Sequence, residues 1–236
     1  MFPGRLALFV GALCMPVFLA YPCLAADRPS IVEAPGDLTD GTGGWSNRVD
    51  FAWGVAVTSN YISSGETQSN DRPAVQAYAE LSAGIVYAGA WISSIEIEPD
   101  NAELDLYMGL RPTFGPVDLD LNYTRYINDK TGDCCGDFNA KASLKASDFL
   151  TLSGKFTYDP QSHDRSATFG TAIALNDSLE FSAELEQDLL SHDNNWNAGL
   201  KWQASDTISF DLRYHDSELY DERYVFTLAY DFSTAD

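Results

Sequence analysis

Twelve short stretches of the sequence alternate apolar and polar side chains at period two, and this leaves few folds open. Successive side chains of an extended chain point to opposite faces, so each stretch reads as a β-strand with one apolar and one polar face. In the first, Val49, Phe51, Trp53, Val55 and Val57 alternate with Asp50, Ala52, Gly54, Ala56 and Thr58. Ala102, Leu104, Leu106, Met108 and Leu110 oppose Glu103, Asp105, Tyr107, Gly109 and Arg111, and Val117, Leu119, Leu121 and Tyr123 oppose Asp118, Asp120, Asn122 and Thr124. The stretches near 74–81 and 85–93 are apolar on both faces in places, which leaves their register open. The last, Tyr224, Phe226, Leu228, Tyr230 and Phe232, is the most aromatic.

Alternation by itself fits a water-soluble sandwich or lipocalin-like barrel as well as a membrane barrel, because each buries one face of every strand. The connections point to the membrane. Turns at 82–84, 113–116, 147–149, 176–178 and 204–207 are short, and the intervening segments, about 62–71, 94–101, 127–137, 159–165, 187–195 and 216–222, are longer. Short periplasmic turns and long outer loops are the asymmetry of outer-membrane barrels. With the short turns periplasmic, Tyr61, Trp91, Tyr123, Phe138, Tyr158, Trp196, Tyr214 and Tyr224 fall at the outer strand ends on or near the apolar face, as an aromatic girdle. Trp202, Tyr230 and Phe232 join an inner one. An even strand number returns both termini to the periplasm.

The leader agrees with export. Arg5 precedes an apolar run from Leu6 to about Leu19 and a small-residue site ending at Ala25, the pattern of a secretory signal peptide cleaved after Ala25. Cys23 leaves a lipoprotein signal as the alternative, although Tyr21 and Pro22 stand where small residues are wanted. The run is shorter than the roughly 20 residues of a spanning helix, and no later segment reaches that length without a charge. Residues 26–48, rich in Gly, Pro, Asp and Thr, read as a flexible lead-in, either periplasmic or folded into the barrel mouth. The sequence thus predicts an all-β chain: signal peptide 1–25, lead-in 26–48, a single antiparallel transmembrane β-barrel of about 12 strands over 49–232, and a short tail 233–236.

The block Ser59-Asn60-Tyr61-Ile62-Ser63-Ser64-Gly65-Glu66-Thr67-Gln68-Ser69, with Pro73-Ala74-Val75-Gln76 and Tyr87-Ala88-Gly89-Ala90-Trp91, resembles the TorF-type porin family, known also as the Gcw family. The resemblance runs from about Val49 to Phe232, with its specific motif confined to 59–91. Ser64 stands where that family usually has Arg, so no charge role carries over to it. Ser233-Thr234-Ala235-Asp236 follow the final aromatic, on which barrel substrates of the outer-membrane assembly machinery usually end. The resemblance implies a small outer-membrane β-barrel of Gram-negative bacteria with a porin-like transport role, and names no solute.

In such a barrel the polar face lines the lumen. It carries Glu103, Asp105, Asp118, Asp120, Glu180 and Glu184 with Arg111, Lys141, Lys145, Lys155, Lys201, Arg213 and Arg223, and also Glu80, Glu186, Asp211 and Asp231. The acidic fourth and fifth strands and the basic sixth and seventh are expected to face each other across a constriction, and the excess of acid suggests mild cation preference. The alternative is that these charges pair and plug the interior, since about eight strands give a filled barrel and 16–18 an aqueous channel.

Charge and motif narrow the partners. The chain carries 35 acidic against 14 basic residues, Arg5 of the leader among them, for a formal net charge of −21, which disfavours nucleic acid. The partners expected are outer-membrane lipid and lipopolysaccharide, small solutes or ions and the assembly machinery. Cys134 and Cys135, in an exterior loop of an oxidising compartment, suit a vicinal disulfide or plain loop residues better than a metal site, because no histidine is nearby. His163, His192 and His215 lack an adjacent Ser or Cys nucleophile motif, and no phosphate loop or metal-ligand spacing occurs. No cofactor and no enzymatic activity are expected; a hydrolase assembled from several strands stays as a further reading, beside a closed structural or surface-binding barrel and a soluble periplasmic β-protein.

Overall fold

Residues 49–234 are described by the structure, a computed structural model. The expected signal peptide (1–25), the lead-in (26–48), and Ala235 and Asp236 of the tail lie outside the described residues. Among the described residues the long elements are all strands: β1 Val49–Thr58, β2 Ala74–Ala83, β3 Val86–Ile97, β4 Asp100–Leu110, β5 Val117–Asn128 and β6 Gly132–Ser147. They continue as β7 Leu150–Tyr158, β8 Arg165–Asn176, β9 Leu179–Asp188, β10 Asn194–Gln203, β11 Ile208–Ser217 and β12 Arg223–Ser233. Each pairs antiparallel with its sequence neighbours, and β12 pairs with β1 in the register Thr58↔Thr227 to Ala52↔Ser233, which closes the ring. Closure satisfies every strand edge from within, the condition for crossing hydrocarbon without a helix. The chain is a 12-stranded antiparallel barrel.

The outer surface is apolar. Val55, Val57, Leu81, Ile92, Met108, Phe169 and Leu212 are all exposed, while their strand neighbours of opposite parity are turned inward. An apolar surface that encircles the barrel has no counterpart on a soluble monomer, and lipid is its solvent. Aromatic contacts gather at both rims of this band. Tyr123 lies 4.9 Å from Phe138, Trp196 5.2 Å from Tyr214, and Tyr214 5.0 Å from Tyr224 at one end. Trp53–Tyr230, Trp53–Phe232 and Trp202–Phe210 occupy the end that holds the strand termini.

Two girdle assignments are corrected. Tyr61 and Trp91 do not face lipid: they are 2% and 1% exposed and pack edge-on inside the barrel at 5.4 Å. In β3, Trp91 shares its face with Tyr87, Ser93 and Ile95, and the apolar outward set is Val86, Ala88 and Ile92; the two-sided apolar pattern had hidden this parity.

The strict alternation of connection lengths is also corrected. At the end opposite the termini the chain turns at 98–99 and 129–131, because β3–β4 and β5–β6 remain paired through residues expected in loops. Backbone hydrogen bonds need no apolar face, so the ladders run on past the band into polar sequence. The long connection at that end is 59–73, and the opposite end has a shorter excursion at 111–116, where Thr113–Phe114 forms a two-residue strand against β5.

Candidate functional site: the lumen and the loop that crosses it

The barrel interior is filled unevenly. On the β1–β5 side Tyr78, Tyr87, Trp91, Tyr107 and Tyr126 form one buried cluster with Tyr61 of the first loop. Tyrosine side chains pack close against glycines there. A methyl on Gly89 would sit 2.5 Å from the Tyr107 ring and 2.6 Å from the Ala79 carbonyl oxygen, so only glycine admits the ring. On the β6–β10 side the inward residues, among them Asn139, Lys141, Ser153, Lys155, Glu184 and Asn197, keep partial solvent access.

Loop 59–73 turns into the barrel rather than out of it. Ile62–Ser63 and Glu66–Thr67 pair as a small hairpin whose turn, Ser64-Gly65, takes φ values of 45° and 82°. One flank of the loop joins the β3–β4 wall: the Glu96 N–H donates to the Gln68 carbonyl at 2.8 Å, and the Tyr61 hydroxyl donates to Glu103 at 3.3 Å. The tip meets the β10–β11 wall, where a Cβ on Gly65 would stand 2.8 Å from Ser217 Cβ and 3.0 Å from Asn195 Cβ. In a ring of twelve, β4 and β10 are half a turn apart, so the loop bridges opposite walls.

A polar lattice centred on Asn60 holds the loop. Its carboxamide donates to Asp71 at 2.8 Å and accepts from the Thr67 hydroxyl at 2.7 Å and the Ser69 hydroxyl at 2.9 Å. The Tyr61 N–H donates to Ser69 Oγ at 2.9 Å, and the Gln68 N–H to the Tyr61 carbonyl at 2.7 Å. Outside this lattice Arg223 of β12 grips Asp71, and Arg72 pairs with Glu96 at 2.7 Å. The Arg223 guanidinium beside Asp71 holds that carboxyl below its usual range. The Ser59–Ser69 block that carried the family resemblance therefore builds the inward loop. Sequence reasoning placed Thr67, Gln68 and Ser69 in an outer loop and Asn60 at the end of the strand before it, and assigned them no role; their signal was a polar run with a Ser-Gly turn, which does not say which way a loop folds.

The expected lumen charges all take the inward parity, and Arg111, Glu80 and Asp120, like Arg213 and Asp211, are bound to one another. Arg111 lies with its guanidinium 3.5 Å from the Tyr87 ring centre, with both terminal nitrogens on Glu80 at 2.5 and 3.2 Å and Nε on Asp120 at 3.1 Å. Asp120 also accepts from the Tyr87 hydroxyl at 2.5 Å. Glu103 and Asp105 are buried beside the loop, 7% and 0% exposed. Asp118 accepts from Thr113 at the termini end, and Arg213 bonds Asp211, Asn197 and Ser182. Lys201 registers between Glu180 and Asp211, Glu184 accepts from Asn197 at 3.5 Å, and Lys145 is exposed near the termini end.

Acidic and basic walls do not oppose each other across the lumen as expected. The acidic β5 and basic β6 are neighbours in the ring, with Asp120 paired directly to Lys141, because an up-and-down barrel keeps consecutive strands adjacent. Cys134 and Cys135, joined as a vicinal disulfide, lie on β6 at a bulge rather than in a loop.

Fold and lumen together define a barrel of the outer-membrane type, and comparison with solved structures agrees. The KdgM porin superposes with a TM-score of 0.60 over 78% of this chain and 99% of that one, at 9% sequence identity. A KdgM porin in complex with disordered oligogalacturonate gives 0.59 at 8% identity over 78% of this chain and 99% of that one, and the NanC porin 0.51 at 10% over the same shares. At such identities the likeness is one of fold. No curated protein matches the chain. Residues 43–236 match the profile of Gcw_chp, described as a bacterial protein of unknown function, and the chain belongs to that family.

Proposed function

We propose that the protein is a Gram-negative outer-membrane porin of the TorF type that gives passive passage to small hydrophilic solutes through the part of the lumen that loop 59–73 leaves open. The observation that carries this is the uneven interior: a closed barrel with an apolar exterior whose β6–β10 wall keeps polar, partly accessible side chains beside a packed β1–β5 half. In this reading the termini are periplasmic, loop 59–73 closes over the lumen from the outer side, and the exterior band sits in outer-membrane lipid below lipopolysaccharide after insertion by the assembly machinery. The barrel performs no catalysis. That a KdgM porin has been solved with oligogalacturonate supports solute passage through this architecture. Planar-bilayer recordings on the purified, folded full chain test it: discrete conductance steps are expected, and their absence refutes it.

A second reading has its own support. The close approach of Gly65 to Ser217 and Asn195 also fits a barrel closed by its loop, which acts structurally or through its acidic outer surface. Such a barrel gives no steps in the same recordings, and gains them when residues 62–67 are replaced by a shorter turn.

A further inference from the structure

The seam at which the barrel closes holds a buried polar group that the protein itself does not satisfy. Gln76 of β2 is 2% exposed, and neither atom of its carboxamide has a hydrogen-bond partner among the described residues. It registers with Ala56 of β1 on one side and Ser93 of β3 on the other, and the Ser93 hydroxyl is turned to the Ser94 carbonyl at 3.0 Å. Asp231 of β12 has the same deficit on one oxygen: Tyr78 hydrogen-bonds the carboxylate, but Oδ1 is buried without a partner among the described residues. An unmade hydrogen bond in an interior costs more than a made one gains, so native structures rarely leave such groups unanswered.

Both groups line one small cavity. Gly54 and Ala56 of β1, Gln76 and Tyr78 of β2, Trp91 of β3 and Asp231 of β12 surround about 10 Å³ of space, the room of a single water. The space exists because β1 is small there. Gly54 registers with Tyr78 on one side and Asp231 on the other, and a Cβ on it would strike both the Tyr78 ring and Asp231 Oδ1. Tyr78 and Asp231 therefore meet across β1, and Ala56 leaves the same opening beside Gln76, at the next inward position. Trp91 is 1% exposed and packs against Tyr61, which sets the root of loop 59–73 behind one wall of the cavity.

We propose that this cavity is a built site for one internal water, which accepts from Gln76 Nε2, donates to Asp231 Oδ1, and so ties β2 to β12 across β1, the strand at which the ring closes. Water meets the demand better than a cation does. The unanswered atoms comprise a donor as well as acceptors, and water accepts and donates at once, whereas a cation serves only the oxygens. The bridge spans the closing seam and holds whether or not the barrel conducts.

The test uses the folded full chain in urea unfolding from lipid vesicles, with Gln76→Met, Asp231→Ala and the double variant as a cycle over two side chains that share no direct hydrogen bond. Gln76→Met is expected to raise the unfolding constant about tenfold in the wild type and to leave it unchanged or lower it in the Asp231→Ala background, because a bridged pair couples. Additive effects overturn the bridge. A Gln76→Met protein more stable than the wild type overturns the site altogether, since loss of an unanswered carboxamide relieves its burial. Should Asp231→Ala fail to fold, NMR of the wild type decides: the Gln76 side-chain amide protons are expected to show a cross-peak to a long-lived water, and its absence overturns the proposal. An unfolding midpoint that rises in ammonium chloride over lithium chloride of equal ionic strength, in the wild type but not in Asp231→Ala, puts a cation in place of the water and overturns it equally.

Discussion

Removing the Asn60 carboxamide should release the loop while sparing the barrel. Asn60 is 6% exposed and makes bonds to Asp71, Thr67 and Ser69. In Asn60→Ala these losses are unequal. Ser69 Oγ already lies 2.6 Å from the Arg72 carbonyl, so its one proton has a second acceptor. Asp71 keeps Arg223 and is half exposed, which discounts that bond. The Thr67 hydroxyl still accepts from the Asp71 N–H at 2.9 Å but gives its own proton to Asn60, and that bond is lost. One bond near the low end of the range, plus one half-buried donor left unmade, amounts to about 2–3 kcal/mol. At 1.4 kcal/mol per decade, the population of the undocked loop rises roughly 30- to 150-fold. Glutamyl endopeptidase cleavage after Glu66 in the folded, detergent-solubilised barrel reads this population when reclosing outpaces cleavage. The expected result is faster cleavage by that factor with an unchanged heat-shift on gels. An unchanged cleavage rate in a folded variant would refute the idea that the Asn60 lattice holds the loop.

Three further perturbations probe the interior. Arg111→Ala strips the partner from Glu80, whose side chain is 2% exposed, and should cost about 3–5 kcal/mol in urea unfolding from lipid vesicles; adding Glu80→Gln should recover part of the loss, and no recovery would count against the buried pair. Gly89→Ala drives a methyl against the Tyr107 ring and the Ala79 backbone and should cost about 1–3 kcal/mol, whereas Gly154→Ala, with nothing within 4 Å, should be near neutral in the same assay. Asp71, held low by Arg223, contributes to loop docking at pH above its unfolded value, and that contribution is lost as pH falls through the lower folded value. Hydrogen exchange at the Tyr61 and Gln68 amides should therefore accelerate on acidification below the ordinary carboxylate range, and Asp71→Asn should flatten that dependence.

Period-two alternation marked the strands and their two faces, because lipid outside and polar side chains inside impose opposite demands on neighbouring residues, but the membrane reading also needed the connections and the level of the aromatics. It served best where one face was plainly polar. In β4, Glu103, Asp105 and Tyr107 alternate with Leu104, Leu106 and Met108, and each takes the face expected of it. It served worst in β2 and β3, where the inward face is also aromatic. Tyr78 and Trp91 belong to that face because the interior here is a packed core rather than a water-lined wall, and apolar residues on both sides of a strand erase the alternation. The paired extension of β3–β4 and β5–β6 was illegible for a different reason: backbone ladders need no apolar face and run on through polar, turn-like sequence such as Asp100-Asn101 and Gly132-Asp133.

The charges show the same limit more sharply. Parity placed Asp105 and Lys155 alike on the lumen side, yet one is fully buried and the other keeps access. Loop 59–73 folds over the wall carrying Glu103 and Asp105, whereas the wall carrying Lys141 and Lys155 keeps partial access. A lumen's selectivity follows the charges a passing solute can reach, because a carboxylate bonded to a guanidinium or phenol and withdrawn from water presents little field to the passage. The direction of one loop, set by the Asn60 lattice and by a Ser-Gly turn that fits between Asn195 and Ser217, thus decides which half of the barrel wall a solute meets. Undocking that loop should change selectivity as well as conductance, moving the reversal potential toward cations as Glu103 and Asp105 become exposed.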